Sequence, residues 1–176
     1  MDARVYHVQG KAERVSDLQQ LLEEFYRDKL AELLRHQAGA RLVGQYDINN
    51  TYQYIINREE TQLSWLATAI SELGGTPAAE APEPDRGASG RGKGGSQTVI
   101  EEDSRAAQAF VEKWRPSVEA MTNARHRGML RVILGETLEQ KRFFDQALAG
   151  DMDLLGRRTP DVGPRVGAVR STRWIE

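Results

Sequence analysis

The chain has no cysteine among its 176 residues, no long apolar run and almost no net charge. Without cysteine there is no disulfide, no thiolate nucleophile and no cysteine-held zinc or iron–sulfur site. No segment approaches the roughly 18 uninterrupted apolar residues of a membrane span, so no membrane partner is expected. A formal charge of −2 supplies no global field toward nucleic acid or an anionic bilayer. The opening MDARVYHVQG lacks a basic start followed by an apolar run. No secretory leader is therefore expected, and the cytoplasm is the default location. Nothing alternates apolar and polar residues over a useful length, which leaves strands without a signal. GRGKGG, at 90–95, follows no strand and lacks the Walker spacing, so it is not read as a phosphate loop.

What is present is helical periodicity. Hydrophobic residues make up 39% of the chain and charged ones 28%, the proportions of one soluble domain with a real core. After an N-terminal segment, 1–15, Ser16 opens a capping box with Gln19, and apolar residues recur at helical spacing. The spacing predicts a helix over 16–37, ending near Gly39. Asp47 is the expected cap of a second helix, 48–73, which Gly74 and Gly75 end. Residues 76–97 run from Pro/Ala/acidic to Gly/Ser/basic composition and read as a flexible linker. A third helix over 98–114 is stopped or kinked by Pro116; Asn123 caps a fourth, 124–149. The irregular tail, 151–176, carries five arginines and Trp174. The expected fold is all-α. Two helical hairpins within 16–150, joined by a long crossover, close a four-helix bundle followed by an extended tail.

Several polar residues fall where this bundle should be apolar. On the second helix Glu59 lies near the centre of the stripe made by 48, 52, 55, 63, 66, 70 and 73, with Gln62 toward its edge. On the fourth, Glu136 lies inside the stripe made by 129, 132, 133, 143 and 147, with Glu139 at its margin. Sliding the second half onto the first by 77 residues pairs Glu59 with Glu136, Gln62 with Glu139 and Tyr26 with Asp103. A slide of 78 instead brings Trp65 and Leu66 onto Phe143 and Phe144, so the linear match leaves the register open. The helical wheel favours 77. Tyr26 and Glu59 stand as far apart as Asp103 and Glu136, 33 residues, which places all of these groups in one layer. A carboxylate there costs several kcal/mol unless protonated, hydrogen-bonded, paired or metal-bound.

On these residues the chain resembles the ferritin-like superfamily, with the bacterioferritin and rubrerythrin branches nearest. The resemblance rests on two hairpins, the long crossover, and a Glu with a second polar residue three positions on in the second and fourth helices. It implies two iron or manganese ions held by one carboxylate from each of two helices and a Glu-x-x-His from each of the others. Carried over, it gives Glu59, Asp103, Glu136 and Glu139 as metal ligands, with Tyr26, Gln62 and Lys29 as neighbours in the layer. The chain departs from the pattern at Gln62 and Glu139, where histidines belong, and at Tyr26, where a carboxylate belongs. No imidazole is left in that layer, so its donors are hard oxygens.

Three readings of the layer stand side by side: a working divalent-metal site, a hydrogen-bonded layer neutralised by Lys29, and a mistaken register. Lys29, near the middle of its own helix's apolar stripe, is placed to neutralise Glu59 or Asp103; Arg125 or Arg131 would serve other levels. His7, His36 and His126 read as surface or capping residues. Trp65 lies off the core stripe, as an anchor for a partner or as packing beneath the linker. Tyr46, Tyr52 and Tyr54 line a groove or simply pack. The expected function is a binding or assembly module that has lost the standard di-iron site. It would act as a homo-oligomer or on a protein partner through Trp65 and the tail 156–176, without nucleic acid. The alternative is a metal-binding oxidoreductase built on the carboxylates.

Overall fold

The computed structural model describes residues 3–82, 95–151 and 153–156, with residues 3–15 as backbone alone. It holds four helices, α1 (Ala3–Ala40), α2 (Tyr46–Glu72), α3 (Gly95–Ala120) and α4 (Ala124–Leu148), and no strand among the described residues. None of the described helices is long and apolar enough to cross a membrane. The expected tail beyond Gly156 lies outside the described residues.

Helix ends differ from the sequence expectation where local signals compete. Ser16 sits inside α1, whose backbone is helical from Ala3. The preceding Gln, Lys, Ala, Glu and Arg are good helix formers, and they carry the helix through a residue that also suits a cap. Gln45, not Asp47, holds the N-cap position of α2; Asp47 lies in the first turn, where a carboxylate meets the positive end of the helix dipole. Pro116 lies inside α3, which continues to Ala120. Proline removes one hydrogen bond and crowds the carbonyl four residues back, a smaller loss this close to a helix end. Asn123 does cap α4, its side chain accepting the backbone N–H of His126 at 3.1 Å.

α1 packs along α2 and α3 along α4, while α1 also meets α3 and α2 meets α4. One end of the bundle is closed by the Asn49 amide, which donates to the Ala40 carbonyl at 2.8 Å. At the same end the Ser96 hydroxyl donates to the Leu42 carbonyl at 3.3 Å, so α3 begins beside the α1–α2 turn. At the opposite end Arg125, opening α4, pairs with Glu72, closing α2, at 3.0 Å. Glu72 and the start of α3 therefore stand toward opposite ends of the helices.

The core runs along the helices, from Leu22, Phe25 and Trp114 toward one end to Tyr52, Ile100 and Phe144 toward the other. Phe25 sits edge-on to Phe110 at 5.2 Å and tilted against Trp114 at 5.0 Å, tying α1 to α3. The Trp114 indole donates to Asp28 at 2.8 Å, and the Ser104 hydroxyl donates to Asp145 of α4 at 2.5 Å. α2 ends through Gly74, whose φ of +85° suits glycine. Gly75 then runs so close to α1 that a Cβ there would lie 2.5 Å from Glu23 Oε1 and 2.8 Å from Ile70 Cγ2. The glutamate end can swing aside, but the isoleucine branch is held by the core. Gly75→Ala is expected to cost about 1–2 kcal/mol through overpacking, measured by urea unfolding of the variant.

Candidate functional site

α1 delivers Lys29 and His36 to the core from positions two turns apart, and α2 inserts Glu59 between them. All three side chains are fully buried. The Lys29 ammonium donates to Glu59 Oε1 at 2.7 Å. Nδ1 of His36 lies 2.8 Å from Glu59 Oε2, so both carboxylate oxygens are held. Lys29 also lies over the Phe110 ring, 5.4 Å from its centroid, which places an aromatic face of α3 against the cation. The His36 ring packs 5.5 Å from Phe144 and 6.1 Å from Tyr52. Tyr52 in turn donates its hydroxyl to Asp103 at 2.6 Å, carrying the polar network from α2 to α3.

Electrostatics of the cluster are set by burial against neighbours. Burial alone pushes the Glu59 carboxyl up, but attraction to His36 and Lys29 outweighs it and holds the group below the ordinary carboxylate range. Burial opposes a charged His36, yet Glu59, with Asp103 and Glu32 behind it, raises its pKa. Glu32, one turn from His36 on α1, is raised mainly by its own burial, which His36 and Lys29 only partly offset. Nε2 of His36 and Oε2 of Glu32 have no hydrogen-bond partner among the described residues.

The residues expected in one layer fall into separate neighbourhoods. Glu59 and Asp103 are buried in the core. Glu136 is a quarter exposed in the α2–α4 groove, where it pairs with Arg58 and accepts the Gln62 amide. Glu139 lies outside, half-exposed and paired with Arg142 at 3.1 Å. Tyr26 is only partly buried, packed at the margin of the core. Gln62 is fully buried, and Lys29 is in the layer with Glu59, as the neutralising reading expected.

The cause is the rotation of α4. Its buried positions are His126, Leu130, Ile133, Leu134, Thr137, Gln140, Phe143 and Phe144, so Thr137 and Gln140 face inward where Glu136 and Glu139 were expected. Val132, placed in the core stripe by the wheel, is 49% exposed. The slide that superposes buried on buried is 78, not 77. It matches Ile55 with Ile133, Glu59 with Thr137, Gln62 with Gln140 and Leu66 with Phe144. It also matches α1 with α3: Leu22 with Ile100, Lys29 with Ala107, Leu33 with Val111, His36 with Trp114. Five apolar residues were too few to separate two stripes one residue apart, and Val132 and Met129 drew the wheel toward the wrong one.

His36 corrects a second expectation. Its place near a helix end suggested a surface residue, but α1 runs on to Ala40 and the ring is fully buried. His126 is likewise mostly buried rather than on the surface, although its backbone N–H is the one that Asn123 caps. The stripe 22, 25, 29, 33, 36, 40 was the signal available for His36; each member is buried. Tyr52 does pack in the core, whereas Tyr46 is 78% exposed.

As arranged, the cluster suits charge neutralisation more than metal coordination. A metal on Glu59, Asp103, Glu136 and Glu139 would need groups now held by Lys29, His36, Arg58 and Arg142, from the core to the outer surface. Those four residues do not fit such an ion, and no step through one is derived. No protein-family model and no curated protein matches the chain.

Two measurements bear on the cluster. Lys29→Met leaves Glu59 buried with one of its partners gone, and breaking a buried pair in this way costs about 3–5 kcal/mol. Urea midpoints at neutral pH are expected to fall accordingly and to recover part of the loss in acid, where protonation removes the uncompensated charge. In the unaltered protein the Glu59 contribution is whole above its unfolded value of 4.5 and is lost as pH falls through its depressed folded value. The His36 contribution is whole below 6.5 and is lost as pH rises through its raised folded value. A pH series of unfolding free energies should show both losses, and His36→Gln should remove the alkaline one.

Proposed function

We propose that the chain is a ferritin-like bundle, two hairpins joined by an end-to-end crossover, that works as a binding or assembly module. Its polar layer is neutralised by its own Lys29 and His36 in place of metal. In support of the topology, α1 packs on α2 and α3 on α4, and α3 begins at the α1–α2 turn. The occupation of both Glu59 oxygens supports the neutralised layer.

The observation that carries the assembly reading is the outward face of α2. Its exposed residues between 46 and 68 include Tyr46, Tyr54 and Trp65 but only one charge, Glu60. Exposed positions of α3, by contrast, carry Glu101, Arg105, Glu112, Lys113, Arg115 and Glu119. A face with aromatics and without Lys or Asp has the composition of an interface core. Arg58 lies 6.0 Å from the Trp65 ring and pairs with Glu136, so the aromatic is presented beside a fixed cation. The tail 156–176, with its arginines and Trp174, supplies a second candidate contact.

A metal-handling oxidoreductase is the second reading, and one observation favours it: the buried Nε2 of His36 and Oε2 of Glu32 lack partners among the described residues. Elemental analysis of freshly purified full-length protein separates the two. Substoichiometric iron and manganese supports the module; two ions per chain reverses the order. For the module itself, Trp65→Ala and deletion of 156–176 are each expected to shift the sedimentation profile of the full chain. A profile indifferent to both removes Trp65 and the tail as contacts.

A further inference from the structure

α4 carries two glycines in its interior, Gly128 and Gly135, seven residues apart on the same outward stripe. Glycine inside a helix costs stability relative to alanine, and such a cost is expected to have a local reason. Nothing among the described residues provides one: a Cβ at either position would meet none of their atoms within 4 Å. Around them the same face exposes Val132 at 49% and Leu138 at 36%, two of the five large apolar side chains most exposed to solvent. The face is apolar at its middle, bare of side chain at two points, and open.

Four of its exposed charges are arranged by direction, while Arg142, also exposed, stands among the acidic residues of the second half. Arg125 and Arg131 lie in the first half of α4, and Glu139 and Asp145 in the second. Counted from Gly135, Arg131 and Glu139 are each four residues away, Val132 and Leu138 each three, and Arg125 and Asp145 each ten. A second copy of the helix laid antiparallel, with a twofold axis at Gly135, therefore sets opposite charges at the same height. Arg131 comes level with the partner's Glu139, Arg125 with the partner's Asp145, and Val132 with the partner's Leu138. Arg142 comes level with the partner's Gly128, whose missing side chain leaves room for the long arginine. Three of these charges have exposed partners at present, Glu119 for Arg131, Glu72 for Arg125 and Arg142 for Glu139, while Asp145 accepts from Ser104 and Lys141. Such surface pairs contribute little and exchange readily.

We propose that α4 is the contact through which two copies of this chain associate, antiparallel and isologous, with Gly135 at the twofold. The proposal rests on the assembly reading and names its partner: a second copy, held on the α4 stripe that lies beside the α2 aromatics. A C2 contact presents one patch to itself, so every pairing occurs twice and each charge error is doubled.

Sedimentation equilibrium of the full chain tests this, with circular dichroism as a check on folding. The unaltered protein is expected to be a dimer. Gly135→Arg fills the centre of the contact and should yield a monomer whose helix content is unchanged or higher. Arg131→Glu brings like charges level twice and should weaken association by about tenfold or more. Adding Glu139→Arg restores opposite signs and should recover most of that loss, an outcome that general surface damage would not give. An unaltered chain that stays monomeric at high micromolar concentration overturns the contact. A dimer indifferent to Gly135→Arg and Arg131→Glu but lost in Trp65→Ala overturns it too, while leaving the assembly reading in place.

Discussion

A carboxylate placed in a helical core must have its charge met there, and in this protein Glu59 is met by a lysine and a histidine from one neighbouring helix. Desolvation of an ion of this size costs several kcal/mol even after relaxation, so the burial is tolerable only with both oxygens held. Lys29 takes one and His36 the other. These bonds fix more than charge. Sliding α1 against α2 by one helical turn, about 5.4 Å, would break both and leave three ionisable groups stranded. Apolar packing tolerates many registers nearly equally; this contact tolerates one. Tyr52 extends the constraint to α3 through Asp103, so that side chains of three helices meet at this level.

The same cluster shows what could be read from the sequence and what could not. Four helices, the Asn123 cap and the long connection follow from local periodicity and capping chemistry, which are nearest-neighbour properties. Lys29 as a counter-charge for Glu59 or Asp103 was one of three readings open from polar residues on inward stripes, and in the fold it bonds Glu59. The rotation of α4 did not follow. Glu136 and Thr137 differ by 100° on the wheel, and a helix with exposed Val132 and Leu138 offers two plausible apolar faces. Choosing between them needs the neighbour helix, because it is Arg58 on α2 that meets Glu136 in its quarter-exposed groove position. His36 was hidden differently: its burial depends on α1 continuing past Gly39, which a glycine would ordinarily argue against.

Seen at the correct offset of 78 residues, the halves agree in what they bury and disagree in its charge. At the positions matching Lys29, His36 and Glu59 of α1 and α2, α3 and α4 carry Ala107, Trp114 and Thr137. At the position matching Asp103, α1 carries Phe25. A cation shared between two equivalent halves would draw donors from both, and here the second half contributes one carboxylate to the buried cluster. Around the pair that Lys29 makes, Phe110 of α3 lays its ring against the ammonium, while Trp114 packs on Phe25 and donates to Asp28. Charge on one side and bulk on the other are complementary choices within a repeated frame. The asymmetry is thus one of packing as well as of charge: both bonds to Glu59 come from α1, and at the position matching His36 the buried bulk is Trp114 of α3.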